Sequence, residues 1–213
     1  MRNIKLVTGE YYHVYNRGVD HRQIVSDNED SRRFMLGLDF FNTTRPIGSI
    51  YEYSLLKERP TKSPLVNIIA YCLNPNHFHL ILEQLEDNGI SIFLKSLTGG
   101  YTKYFNNKNK RTGSLLQGTF KAKHVNDNDY LVHLSAYVNL NDKLHQLGNL
   151  VSKLVRSSFG EYTVDAKLAL CKKEIILDQF KDKADYKKYC DSVLPDMIAK
   201  RADYKELEHL MFD

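Results

Sequence analysis

Tyr71-Cys72-Leu73-Asn74-Pro75-Asn76-His77-Phe78-His79-Leu80-Ile81-Leu82-Glu83 decides how the rest of the chain is read. An apolar run from Val66 to Leu73 meets the turn-forming Asn74-Pro75-Asn76, and a second apolar run follows from Phe78 to Leu82. This pattern predicts two strands joined by a tight connection. Successive side chains of a strand point to opposite faces, so His77 and His79 share one face and Phe78 takes the other. Two imidazoles on one rigid strand can share a divalent cation. They fit equally well as polar residues on the wet face of a half-buried strand, and spacing alone does not separate the two readings.

Working outward, Glu10-Tyr11-Tyr12-His13-Val14-Tyr15-Asn16 is aromatic and β-prone and ends at Arg17-Gly18, which predicts a first strand. Capping residues at Ser26-Asp27-Asn28 precede Phe34, Met35, Leu36, Leu38, Phe40 and Phe41, a helical spacing that must end before Pro46. Residues 44–65 read as a connection, with a fragment of strand at Ile50–Tyr53. Ile90, Phe93, Leu94, Leu97, Tyr101, Tyr104 and Phe105 predict an amphipathic helix over 89–107. Gly99-Gly100 in its middle costs about 1 kcal/mol per glycine relative to alanine and marks a kink or a close approach. An extended segment follows to Val125. Helices are predicted over 127–140, 142–156, 163–190 and 195–211. Strand, helix, strand, strand, helix, strand is the split βαβ, ferredoxin-like order: an α+β fold with an antiparallel sheet, both helices on one face, and C-terminal helices appended. The domain reading is 1–160 for this unit and 161–213 for a helical extension.

At 213 residues the chain can bury one sizeable core. No stretch has the length of a membrane span, and the first residues carry no signal-peptide pattern, so a cytoplasmic protein is expected. Cys72, Cys171 and Cys190 are too far apart for a metal motif or a disulfide framework. Residues 1–160 hold 20 Lys and Arg against 14 Asp and Glu, whereas 161–213 hold 10 against 12. The net charge of +4 therefore arises in the first part. Its densest run is Lys95 to His124, with Lys95, Lys103, Lys108, Lys110, Arg111, Lys121 and Lys123, no Asp or Glu, and Tyr101, Tyr104, Phe105 and Phe120 interleaved. Cations beside aromatic platforms suit phosphate backbones and unstacked bases better than they suit a merely solvated helix face. Farther on, Tyr137 and Asn141 are four residues apart and share a helix face. A tyrosine beside a metal can act as a nucleophile, although a buried core tyrosine fits the same spacing.

Together these pieces resemble the HUH single-tyrosine transposases, in particular the branch of REP-associated tyrosine transposases. The resemblance is carried by Pro75-Asn76-His77-Phe78-His79, by Tyr11 to Gly18, by Gly113 to Lys121, by Asp129-Tyr130-Leu131 running into Ala136-Tyr137-Val138-Asn139-Leu140-Asn141, and by Ser157 to Tyr162. The chain departs from the family where Asp142 stands for a common proline and Thr119 for a common arginine. The resemblance implies that His77, His79 and Asn141 bind a divalent metal ion, Mg or Mn, and that Tyr137 attacks a DNA phosphodiester. The expected activity is cleavage and rejoining of single-stranded or hairpin DNA through a covalent phosphotyrosine, by a monomer or homodimer. Lys95, Lys103, Lys108, Lys110, Arg111, Lys121, Lys123 and Arg17 are the expected DNA contacts. The rival is a DNA- or RNA-binding protein that keeps the fold and has lost cleavage. A metal-dependent hydrolase of small phosphoesters fits the histidines but not the cationic stretch.

Overall fold

The two apolar runs form strands β2 (Val66–Leu73) and β3 (His77–Gln84), paired antiparallel in a computed structural model that describes residues 4–56, 63–145, 152–164 and 170–200. The Asn74-Pro75-Asn76 connection is closed by Asn74 N–H donating to the His77 carbonyl at 2.8 Å. It is gripped from outside, where Gly18, Ile24 and Val25 donate backbone N–H groups to the carbonyls of Asn76 and Pro75. Backbone N–H and C=O groups taken out of water need partners, and these bonds supply them at the turn.

β1 (Tyr11–Arg17) lies antiparallel against β3, with Tyr15 opposite His79 and Arg17 opposite His77. β4 (Lys121–Val125) pairs with the free side of β1, and the two-residue β5 (Arg156–Ser157) pairs with β2. The five-stranded order is β4-β1-β3-β2-β5. The predicted split βαβ sheet is therefore formed, with the first strand beside the histidine strand.

α1 (Asn28–Phe40) and α3 (Gly89–Lys108) cover one face, where Phe34 meets Phe78 at 5.4 Å between ring centroids and Tyr101 at 5.2 Å. Asp27 caps α1 by accepting from Asp30 N–H, as its position before an apolar period requires. Gly100 answers the question of the glycine pair, since a Cβ there would lie 2.8 Å from the Phe41 ring, whereas one on Gly99 would meet nothing within 4 Å. The pair marks a close approach of α1 and α3.

α4 (Asn128–Asn139) covers the opposite face, so both faces of β2 and β3 are buried and their side chains read as near-continuous apolar runs. Several boundaries differ from expectation. Ile50–Ser54 is a short helix, α2, capped by Ser49, and not a strand fragment. Nothing pairs with it, and local capping prevails over the β-propensity of its aromatic residues. Of the helix expected over 142–156, α5 (Asn141–Leu144) covers the start and Arg156 at its end already belongs to β5; residues 146–151 lie outside the described residues. After α6 (Phe159–Thr163), the C-terminal segment holds α7 (Glu174–Leu177) and α8 (Lys183–Ala199). α8 runs through Pro195, because Tyr186, Cys190 and Met197 are buried in the common core and hold the helix across the missing hydrogen bond. The helix expected over 195–211 falls mostly outside the described residues. Among those described, no helix is long and apolar enough to cross a membrane.

Candidate nucleophile and metal centre

β3 sends His77 and His79 to the α4 face and Phe78 to the α1–α3 face. The two imidazoles stand edge to face, 5.1 Å between centroids, and Phe78 is fully buried. α4 presents Tyr137 edge-on to His79 at 5.7 Å. A break at Leu140 (φ −104) separates α4 from α5, so Tyr137 and Asn141 do not lie on one continuous helix as their spacing suggests. The break nevertheless leaves the fully buried Asn141 against the histidine strand. Sequence spacing thus brings together the four expected residues, although through a junction and not a single helix face.

Hydrogen bonds identify the lone pairs. His77 Nδ1 lies 2.7 Å from Asn76 Oδ1, which can only accept, so the proton is on Nδ1 and Nε2 carries a lone pair. That Nε2 faces Asn141 Oδ1, another acceptor, at 3.2 Å. Asn74 Nδ2 donates to both, at 3.0 Å and 2.7 Å. Two neighbouring ligands of one octahedral ion stand about 3 Å apart when each is about 2.1 Å from the metal. The His77–Asn141 separation therefore suits a shared cation. Three buried polar atoms without a hydrogen-bond partner among the described residues gather here: His79 Nε2, Asn141 Nδ2 and Asn74 Oδ1. Such a cluster is uncommon in a finished core and typical of a ligand site.

The sequence reading missed His13. It projects from β1, is 3% exposed, and places Nε2 2.9 Å from His79 Nδ1. Its position two residues from Tyr15, in register with His79, is the only signal a sequence offers, and it requires the strand pairing to be known. His145, just past α5, meets the His77 ring at 4.9 Å. Burial first, and then neighbouring positive groups, push His77 and His13 down to about 3 and His79 well below its usual value. All three are therefore neutral, the form that ligates metals. No group of three His, Cys, Asp or Glu side chains placed to hold a metal occurs among the described residues.

The expected cations divide. Lys121 and Lys123 sit opposite Tyr15 and His13 in the β1–β4 register and so face the histidines; Lys123 Nζ lies 4.9 Å from the Tyr130 ring centre. Arg17 is opposite His77 on the same face, its Nε donating to Gln117 Oε1 at 2.6 Å. Lys95 and Lys103, on α3, belong to the other side of the sheet. Lys110 is exposed at the end of α3, in a left-handed conformation (φ 49). Arg111 binds Asn106 and the Ser114 carbonyl and closes the loop. Lys108 corrects the sequence reading, because its ammonium bridges Asp27 at 2.7 Å, Asp30 at 2.8 Å and Glu29 at 3.3 Å. With Asp30 buried beneath it, Lys108 is committed to joining α3 to α1 and is not available to phosphate.

Residues 53–141 match the model of the IS200-like transposase family. A solved structure of a REP-associated tyrosine transposase bound to a REP hairpin superposes with a TM-score of 0.53, at 14% identity, covering 80% of this chain and 88% of the other. No curated protein matches the chain. The resemblance to the single-tyrosine transposases read from Pro75–His79 is borne out. The solved relative shares the fold, and the family match spans α2 through Asn141, which includes both histidines and Tyr137.

Proposed function

We propose that this protein is a metal-dependent DNA transposase or endonuclease that cleaves and rejoins single-stranded or hairpin DNA through Tyr137. The observation carrying this reading is the convergence of Tyr137, His79, His77 and Asn141 on one face of the sheet, with paired lone pairs at 3.2 Å and an orphaned His79 Nε2. The hairpin bound by the solved relative supports the substrate class.

His77 Nε2, His79 Nε2 and Asn141 Oδ1 would hold the cation, Mg or Mn. When bound, it would polarise the scissile phosphate and offset charge developing on it. Neutral imidazoles beneath Tyr137 add no anion beside the incoming phosphate. The Tyr137 oxygen attacks phosphorus and loses its proton, the bond from phosphorus to one sugar oxygen breaks, and that oxygen takes up a proton. One phosphodiester replaces another, so rejoining needs no nucleotide energy source. Lys121, Lys123 and Arg17, on the same face, would position the strand without reacting.

Incubation with Mn and a labelled hairpin oligonucleotide, followed by a denaturing gel, tests the reading. Wild type should give a covalent adduct and Tyr137→Phe none, with DNA affinity within about twofold of wild type. An adduct persisting in Tyr137→Phe would remove Tyr137 from its role.

A further inference from the structure

The histidine face is not the only place where cations and an aromatic residue meet. A groove of about 670 Å³ runs between α3 and residues 114–120, bounded by Lys95, Lys103, Thr98, Thr119, Phe120 and Asn16. Asn16 pairs in register with Phe78, whereas its neighbour Tyr15 pairs with His79. Alternation along β1 therefore places this groove on the side of the sheet away from the metal centre. Only β4, the edge strand, separates the two sides.

The lining suits one kind of occupant. No Asp or Glu borders it, and Lys95 and Lys103 form no ion pair among the described residues. Both lysines are exposed, eight residues apart on α3, about two helical turns. Phe120 is partly exposed at the groove, and Gly99 leaves its floor open, since no atom lies within 4 Å of where a Cβ would be. The volume is in the range of small-molecule sites and far exceeds what a lone anion needs. Separated cations, an aromatic surface and hydroxyls together match a nucleotide with its flanking phosphates.

We propose that this groove is a second nucleic-acid site that takes one unpaired DNA nucleotide, its base against Phe120 and its phosphates at Lys95 and Lys103. This rests on the DNA-acting reading above and extends it: DNA passes around the β4 edge, with one unpaired nucleotide in the groove and the reacting phosphate on the Tyr137 face. The Lys121–Lys123 pair on β4 spans the route between them.

The test uses the full chain and a labelled single-stranded oligothymidine carrying 5-iodouracil, with photocrosslinking and anisotropy. Wild type should crosslink within the Phe120 peptide. Joint Lys95→Ala and Lys103→Ala replacement should lower the slope of log affinity against log salt by about 1.4, roughly 0.7 per phosphate. Phe120→Leu, which keeps the apolar bulk, should weaken binding about fivefold or more, the weight of one stacked base. Circular dichroism confirms the fold of each variant. A wild type that forms the Tyr137 adduct but shows an unchanged slope in the lysine variant and no Phe120 crosslink overturns the groove and spares the transposase reading. A wild type that crosslinks at Phe120 and loses slope in the variant, yet never forms an adduct, overturns the transposase reading and keeps the groove. A wild type that binds no DNA overturns both.

Discussion

On the proposed reading, one hydrogen bond between His13 and His79 prepares a ligand. A metal-binding imidazole is usually oriented by donating its other N–H to a partner, and on that reading His79 Nδ1–H donates to His13 Nε2 across 2.9 Å, which leaves the lone pair on His79 Nε2. Removing that partner should reduce Mn affinity about 10- to 100-fold in His13→Ala, measured by calorimetry or by Mn electron paramagnetic resonance. His13→Gln, which can still reach with a polar atom, should recover part of it. Equal affinity in wild type and His13→Ala would show that β3 alone fixes the ring. His77→Ala and His79→Ala should each abolish high-affinity binding while the sheet, held by Phe78, Leu80 and Leu82 on its other face, stays folded.

At the scale of an element, α3 does three jobs with one amphipathic sequence. Its buried stripe packs on the sheet, Lys95 and Lys103 face the groove, and Lys108 clamps α1. Replacing Lys108 by Met should leave the salt slope of DNA binding unchanged and lower stability by about 1–2 kcal/mol in urea, because Asp30 would lose its charged partner in a buried setting. A lower salt slope with unaltered stability would reassign Lys108 to the DNA path. Replacing Lys121 and Lys123 together with alanine should do the reverse, lowering the slope by about one to two units. The glycine pair separates similarly. Gly99→Ala should stabilise by about 0.5–1 kcal/mol through helix propensity, whereas Gly100→Ala forfeits that gain to the Phe41 ring. Urea midpoints in the opposite order would refute the packing argument.

For the whole molecule, the described part of the C-terminal segment is built into the back of α4. The Tyr186 hydroxyl meets Ser135 Oγ at 3.1 Å and accepts from Asn139 Nδ2 at 2.8 Å, and its ring stacks on Tyr162 at 4.9 Å. Asn139 Oδ1 in turn accepts from Ser158 Oγ at 2.5 Å. α4 is thus held by Tyr186, 51 positions beyond Ser135 and 47 beyond Asn139. Tyr186→Phe should cost about 1–3 kcal/mol in chemical denaturation, since buried polar groups on α4 lose their partner. An unchanged midpoint would mean that α8 merely rests on α4.

The sequence by itself determined most of the local elements and the residues that the proposed chemistry uses. Alternation placed His77 and His79 on one face, capping and period set α1 and α4, period alone set α3, and the family resemblance singled out Tyr137 and Asn141. These are short-range properties, fixed by backbone geometry over a few residues. Only the tertiary structure decided which distant residues share a site. His13 joins His79 through strand register, Lys108 leaves the DNA-binding set because an acidic helix start lies across from it, and the cations between Lys95 and Lys123 fall on two sides of one sheet. Charge counts along a chain say nothing about the face a residue occupies or the acid it meets. Those depend on how β1 lies between β3 and β4 and how α3 crosses α1, and such long-range packing is settled by the burial of the whole core at once.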